Sequence, residues 1–210
     1  MTGASGSGGG GGEQRIGREI RLQKISLPMY GREISAAGLS AITGSMTELT
    51  SLNLEGCNSP GVTSQGLAEI SRLKELRFLE LANVRAFDDH ALSVVCPSCS
   101  KLQTLNLNGT GVHLAQGLAF VGAGMTDLSL EHTNVDDDAM DAVASLRGLT
   151  TLTLRGTKVT GVGITRLSCL SNLRSLNLAG TSASREGDGG HPASAVEALR
   201  RSTAALNIRV

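Results

Sequence analysis

Aromatic residues are scarce in this 210-residue sequence, which has one Tyr, three Phe and no Trp. This scarcity disfavours a nucleic-acid platform that stacks bases on aromatic faces. The charges also balance, with 19 basic and 19 acidic side chains, so the basic excess typical of nucleic-acid and membrane-surface binders is missing. No apolar run approaches the roughly 20 residues of a membrane span. We therefore expect neither nucleic acid nor a membrane as a partner.

Cysteine is sparse as well. The four cysteines, at 57, 96, 99 and 169, are too few and too scattered for a disulfide framework in a chain of this length. The N-terminus lacks the charged, apolar and small-residue order of a signal peptide. Residues 1–21 begin with MTGASGSGGGGG, which predicts a disordered Gly-rich tail and a short lead-in. The expected location is the cytoplasm, a reducing compartment.

What the sequence does contain is a repeat. The pattern L-x-x-L-x-L, with conservative replacements, starts at residues 22, 49, 76, 102, 125, 149 and 173, and once more with a weak first residue at 203. The spacings are 27, 27, 26, 23, 24, 24 and 30 residues, and all but the last fit the roughly 20–29 residues of a leucine-rich repeat. The long last spacing predicts a loop insertion at about 183–193.

The second half of each unit has apolar residues at helical spacing, as in Gly66-Leu67-Ile70-Leu73. A unit of one short strand and one helix cannot bury its own apolar side, so the units must stack into a continuous core. The prediction is an α/β fold: a right-handed leucine-rich-repeat solenoid (a horseshoe arc), with a parallel sheet on the concave face and helices on the convex face. It comprises seven repeats plus a final strand over residues 22–210.

Position nine of the unit, just after the strand, holds a thiol or hydroxyl in most repeats, as at Cys57, Thr110 and Thr157. With segments such as LTSLNLEGCNSPGVTSQGLAEI and LTTLTLRGTKVTGVGITRL, this pattern resembles the cysteine-containing, ribonuclease-inhibitor-like class of leucine-rich repeats. Repeats of that class often form the substrate-binding arm of F-box ubiquitin-ligase subunits. Only 21 residues precede the first repeat here, and they contain no F-box. The resemblance implies a non-catalytic protein-interaction module with a recognition or adaptor role.

Three groups of residues have the composition of a reactive site. Cys96 and Cys99 form a C-x-x-C motif, but it closes a helix and has no second ligand pair, so we expect a structural role ahead of a redox or zinc role. Asp88-Asp89 and Asp136-Asp137-Asp138 with Asp141 fall where helices start, which favours capping over cation binding. The four histidines are at 90, 113, 132 and 191, in four different repeats, without zinc-helix spacing. We expect no catalytic residue, metal or cofactor.

Side chains alternate along a strand, so positions three, five and seven of each unit face the concave side of the sheet. One interpretation is a solvated sheet carrying rows of Ser, Thr and Asn without a ligand. The other is a protein-binding face, because a large aromatic lies among acidic residues and would suit a basic partner. Its candidate residues are Glu55, Phe78, Glu80, Asn106, Asp127, Glu131 and Arg155.

A second function remains open. The last strand, LNIRV, runs to Val210, and an uncovered strand edge can pair with another chain. At the other end, only Ile16 and Ile20 are available to cover the first repeat. The alternative hypothesis is therefore a structural subunit that docks in a larger assembly through its uncapped ends.

Overall fold

The computed structural model describes residues 23–28, 34–113, 118–119, 124–184, 192–202 and 206–210. The predicted tail, with Ile16 and Ile20, lies outside them. The described residues form one open, parallel, eight-stranded sheet whose strands follow chain order from first to last. The strands are β1 (Lys24–Ser26), β2 (Ser51–Asn53), β3 (Phe78–Glu80), β4 (Thr104–Asn106), β5 (Asp127–Ser129), β6 (Thr151–Thr153), β7 (Ser175–Asn177) and β8 (Asn207–Arg209).

The central residue of each strand packs into a hydrophobic core that the repeats share. Leu52, Leu79 and Leu105 are buried at the centres of β2 to β4, while the residues on either side of them keep some exposure. The strands pair in register, so Leu52 lies beside Leu79 and Leu79 beside Leu105. The sheet therefore buries one apolar row and presents parallel rows of polar side chains on the opposite face.

Helical segments return the chain from the end of one strand to the start of the next. The α-helices are α1 (Ala36–Ser45), α2 (Ser64–Ala68), α3 (Asp89–Ser98), α4 (Met140–Ala144), α5 (Gly161–Arg166) and α6 (Pro192–Ser202). Single-turn 3₁₀ helices at Glu69–Arg72 and Leu167–Cys169 extend α2 and α5, and another, Asp137–Ala139, precedes α4. The predicted helical stripes are buried in α2, α3 and α5, where their apolar residues face the leucines of the strands.

The helices begin at side-chain caps, as the sequence predicts. The Asp88 carboxylate accepts a hydrogen bond from the Ala91 N–H at the start of α3, and Asp136 accepts one from the Asp138 N–H. Thr63 and Thr160 cap α2 and α5 in the same way. Capping thus accounts for Asp88 and Asp136, two of the acidic residues at which a cation site was considered.

The chain turns inward at positions eight and nine of each unit. Position eight has a left-handed backbone in six successive repeats, at Gly56, Asn83, Gly109, His132, Gly156 and Gly180, with φ between 53° and 73°. At position nine, the buried hydroxyls of Thr110, Thr133, Thr157 and Thr181 donate to the carbonyl three residues earlier, at 2.6–2.7 Å. The Cys57 thiol donates instead to the Leu27 carbonyl of the preceding repeat. Position nine therefore satisfies carbonyl groups at the turn in these five repeats.

The last unit requires a correction. The weak start at Thr203 would align Leu206 with the central leucines, but the structure pairs Ile208 with Leu176 and Asn207 with Ser175. Ile208 is buried, whereas Leu206 is only partly so. Because side chains alternate with period two, a shift of two residues leaves the same side chains on each face. The shift makes Asn207 position three and Arg209 position five. The helix α6 begins at Pro192, within the range of the predicted loop insertion.

Candidate functional site

The candidate site is the face of the sheet opposite the core, formed by positions three, five and seven of each unit and called the sheet face below. The in-register pairing sets residues of equal position side by side, at the interstrand spacing of about 4.8 Å. The position-three row from β1 to β8 is Lys24, Ser51, Phe78, Thr104, Asp127, Thr151, Ser175 and Asn207. Of the seven predicted site residues, four lie at positions three and five of the strands (Phe78, Glu80, Asn106 and Asp127), and three follow the strands at position seven (Glu55, Glu131 and Arg155).

Phe78 is the large apolar residue of this face. Its exposed fraction is 45%, and its neighbours in the row are Ser51 and Thr104. The other large apolar residues with high exposure among those described are Val162 in α5 and Val210 after β8. Phe78 is therefore an aromatic ring in a polar row, on a strand whose central leucine is buried.

Glu80 and Asn106 lie on the sheet face and also form hydrogen bonds within the sheet. Glu80 accepts a hydrogen bond from the Ala82 N–H at 2.9 Å and another from the Asn106 amide nitrogen at 3.0 Å. The Asn106 side-chain oxygen accepts from the Asn108 N–H at 3.0 Å. Asn53 and Asn177 make the same bond to the N–H two residues on. At these four strands, the side chain at position five thus satisfies a backbone N–H where the strand ends.

The remaining candidates are Asp127, Glu55, Glu131 and Arg155. Asp127 accepts a hydrogen bond from the Thr126 hydroxyl at 2.7 Å, and both Glu55 and Glu131 are half-buried. Arg155 is exposed, and its Nη1 lies 3.0 Å from Nε2 of His132. A guanidinium group only donates, so Nε2 of His132 is the acceptor in this contact.

Cys96 and Cys99 belong to the core. Both are free and buried, and the Cys99 thiol donates to the carbonyls of Ile70 and Leu73 in the preceding repeat. Burial raises the pKa of the Cys99 thiol to about 11, against a small opposing effect of Lys74, and also raises the pKa of Cys96. Reactive cysteines have lowered pKa values. The structural role is therefore the one the geometry supports.

Three of the remaining acidic residues link neighbouring repeats, while Asp138 is exposed. Asp137 accepts hydrogen bonds from both the N–H and the hydroxyl of Thr160, and Asp141 forms an ion pair with Arg166 at 3.0 Å. Asp89 accepts from the His113 N–H. In the described part of the chain, no group of three or more His, Cys, Asp or Glu side chains is placed to hold a metal ion. His191 lies outside that part.

Asp88 links two repeats electrostatically. Burial alone would raise its pKa, but hydrogen bonds from the Ser64 hydroxyl and the Ala91 and His90 backbone, with the charge of His90, hold its pKa below its usual value. The carboxylate is therefore the favoured form of this cap.

Known structures share this architecture. A crystal structure of internalin C2 from Listeria monocytogenes matches with a TM-score of 0.61 and 20% identity, over 82% of this chain and 76% of that one. A chain from the complex of Rad7 and Elc1 in yeast matches with a TM-score of 0.69 and 19% identity, over 89% of this chain and 49% of that one. A leucine-rich-repeat protein of Leptospira interrogans matches at 0.55 and 20% identity, over 76% of this chain and 43% of that one. The fold is a leucine-rich-repeat solenoid.

Likeness at these identities shows the fold alone, since leucine-rich-repeat solenoids host many functions. The chain spans three-quarters of the internalin C2 chain but only about half of the chain from the Rad7 and Elc1 complex. No family model and no curated protein matches the sequence. The leucine-rich-repeat fold is confirmed, while the narrower resemblance to the cysteine-containing class stays a prediction.

One column of the leucine-rich repeat was not anticipated from the sequence, although its signal is there. Glycine recurs at position eight, at 56, 109, 156 and 180, directly before the Cys or Thr of position nine. The other two residues at position eight, Asn83 and His132, place their side chains beside the glycine of the next repeat. A Cβ on Gly109 would lie 2.7 Å from the Asn83 side-chain oxygen, and one on Gly156 would lie 2.5 Å from Nδ1 of His132. Glycine at position eight therefore permits the left-handed backbone and leaves room for the side chain of the preceding repeat.

Among the residues that the structure describes, no helix is long and apolar enough to cross a membrane.

Proposed function

We propose that this chain is a non-catalytic protein-interaction module whose sheet face binds a protein partner around Phe78. The observation that carries the proposal is the exposed ring itself. Burying a side chain of this size is worth about 1.5–3 kcal/mol, and the fold leaves much of that gain unrealised. Aromatic residues in this situation are frequent anchors of interfaces.

The leucine-rich-repeat architecture supports the same proposal, because a stack of repeats offers an extended curved surface. One structural neighbour was solved as part of a complex between two proteins, Rad7 and Elc1. By analogy with the repeat arms of F-box proteins, the module would act in substrate recognition or as an adaptor. A reducing, cytoplasmic setting is part of the proposal, and the buried, free state of Cys96 and Cys99 is compatible with it.

The experiment is photo-crosslinking with a benzophenone amino acid placed at single positions of the full chain in cells. Phe78 is the test position, and Val162 is the matched control, since it is also a large exposed apolar residue but lies in α5. We expect one discrete adduct from position 78 and none of the same mass from position 162. The adduct should disappear when Glu131→Lys is added on the same face.

Two results would contradict the proposal. Equal adducts from both positions would mean that the sheet face has no special role. A partner that survives Phe78→Ala, and crosslinks instead from position 210 beside β8, would favour the structural subunit docked through its ends.

A further inference from the structure

The charges on the sheet face change sign along the stack. At positions three, five and seven of β2 to β5, the charged side chains are all acidic: Glu55, Glu80, Asp127 and Glu131. From β6 to β8, the charged side chains at the described positions of this face are Arg155 and Arg209, both basic. With Lys24 at position three of β1, the face has an acidic middle part between this lysine and the arginines of β6 to β8.

Arg155 forms no ion pair with Glu80, Asp127 or Glu131 among the described residues. Glu80 is held by the neutral donors Ala82 and Asn106, and Asp127 by the Thr126 hydroxyl. Glu131 and Arg155 occupy the same position on neighbouring repeats, yet Arg155 lies against the His132 ring. The charges of these three acidic residues and of Arg155 therefore remain available to a ligand.

The strand spacing sets the separation of complementary charges on that ligand. From Glu80 on β3 to the repeat of Arg155 on β6 are three interstrand steps, or about 14 Å. From the repeat of Glu55 on β2 there are four steps, or about 19 Å. An extended segment rises about 3.3 Å per residue, so it covers these distances in roughly four to six residues.

On the basis of the proposed function, we propose that the sheet face selects an extended bipolar segment rather than a uniformly basic one. The segment carries a Lys or Arg beside an apolar residue, for the acidic part near Phe78. It carries an Asp or Glu roughly four to six residues away, for Arg155. The basic residue of this segment would face the acidic part of the sheet face, and its acidic residue would face Arg155. A uniformly basic segment would instead place a positive charge against Arg155, and a uniformly acidic one would place negative charges against the acidic part.

The test is selection of random twelve-residue peptides displayed on phage against the full chain, followed by affinity measurement of the enriched peptides. Four proteins are compared: wild type, Arg155→Glu, Phe78→Ala, and the control Arg174→Glu, which reverses an exposed arginine at position two, just before β7. Far-UV circular dichroism establishes that all four are folded.

We expect peptides enriched on wild type and on Arg174→Glu to carry both signs at the stated separation. On Arg155→Glu, the acidic residue should be lost and uniformly basic peptides should dominate. Loss of one exposed ion pair should weaken the binding of a wild-type peptide to Arg155→Glu about 1.5- to 5-fold. Replacing the acid of that peptide by its amide should weaken binding to wild type but not to Arg155→Glu.

Uniformly basic peptides on wild type, or the same peptides on Arg155→Glu, would overturn the bipolar proposal. If those peptides still lose binding on Phe78→Ala, the proposed protein-binding role of the face stands without it. If no enriched peptide depends on Phe78 or Arg155, both proposals fail.

Discussion

Alanine at the third residue of a helix should stabilise one repeat and destabilise another. Gly66 in α2 and Gly163 in α5 both lie three residues after a threonine cap, and Ala91 fills this position in α3. Glycine in a helix costs about 0.5–1 kcal/mol relative to alanine. On helix propensity alone, both substitutions should raise the free energy of unfolding by that amount.

The surroundings of the two glycines differ. A Cβ on Gly66 would meet only the Thr63 hydroxyl, at an ordinary 3.5 Å. A Cβ on Gly163 would lie 2.2 Å from Oδ1 of Asp137 and 2.9 Å from Cγ of Met140. The Met140 side chain can adjust. Asp137 is fixed by its two hydrogen bonds from Thr160, at 2.8 Å and 2.5 Å.

To admit the methyl group, the Asp137 carboxylate must move on the order of 1 Å and give up these bonds. A hydrogen bond to a charged group contributes about 1.5–3 kcal/mol, and the half-burial of Asp137 points to the lower end. After subtracting the gain in helix propensity, Gly163→Ala should lower the free energy of unfolding by about 2–3 kcal/mol. Gly66→Ala should raise it by about 0.5–1 kcal/mol.

Urea unfolding followed by far-UV circular dichroism measures both changes, since the chain has no Trp to report by fluorescence. The double variant Asp137→Ala/Gly163→Ala completes a cycle. With the carboxylate gone, Gly163→Ala should cost almost nothing, which gives a coupling of about 2–3 kcal/mol. If Gly163→Ala is as harmless as Gly66→Ala, or if its cost persists without Asp137, the steric explanation is wrong.

Three further predictions concern the buried thiol, the threonine column and the left-handed column. Cys99 should resist alkylation at pH 8 in the folded protein and react in urea. Because its pKa rises from 9.0 to about 11 on folding, its contribution to stability is complete below pH 9 and is lost as the pH rises toward 11. Thr157→Val should cost only about 0.5–1.5 kcal/mol in urea unfolding, because Val84 occupies the equivalent position and the Leu154 carbonyl keeps its bond from the residue 157 N–H; a loss above 3 kcal/mol would contradict this. Gly156→Ala should lower the free energy of unfolding by about 1–2 kcal/mol for its left-handed backbone, with a further cost for displacing the His132 ring. Adding His132→Ala should remove the cost of displacing the ring and leave the backbone cost. If the effects of the two substitutions in thermal melts are simply additive, the contact between them is refuted.

The sequence was sufficient to predict the strands because their signal is local and repeated. Leu52, Leu79 and Leu105 recur at nearly constant spacing, and each needs only its neighbour to be buried. The last strand was misaligned because Leu206 and Ile208 are equally apolar and of the same parity. Only the packing of Ile208 against Leu176 distinguishes the two alignments.

The candidate site was harder to predict than the fold. Alternation places Glu80 and Asn106 on the sheet face. It does not reveal that the Asn106 amide nitrogen donates a hydrogen bond to the Glu80 carboxylate at 3.0 Å. The same limit applies to Arg155, whose contact is a histidine ring from the preceding repeat. Sequence spacing determines the face on which a side chain lies, and the hydrogen-bond partner depends on rotamers that only the assembled stack selects.

Within the described ranges, the hydrogen bonds between repeats join adjacent repeats only. Glu80 with Asn106, Ser64 with Asp88, Asp137 with Thr160 and Arg147 with Cys169 are separated by 26, 24, 23 and 22 residues. A chain connected in this way can gain or lose a whole unit without severing any link between distant parts. Gene duplication of one unit would lengthen the arc and insert one more row of three side chains. If the sheet face binds an extended segment as proposed, such a duplication would lengthen the segment that it can bind and leave the existing contacts intact.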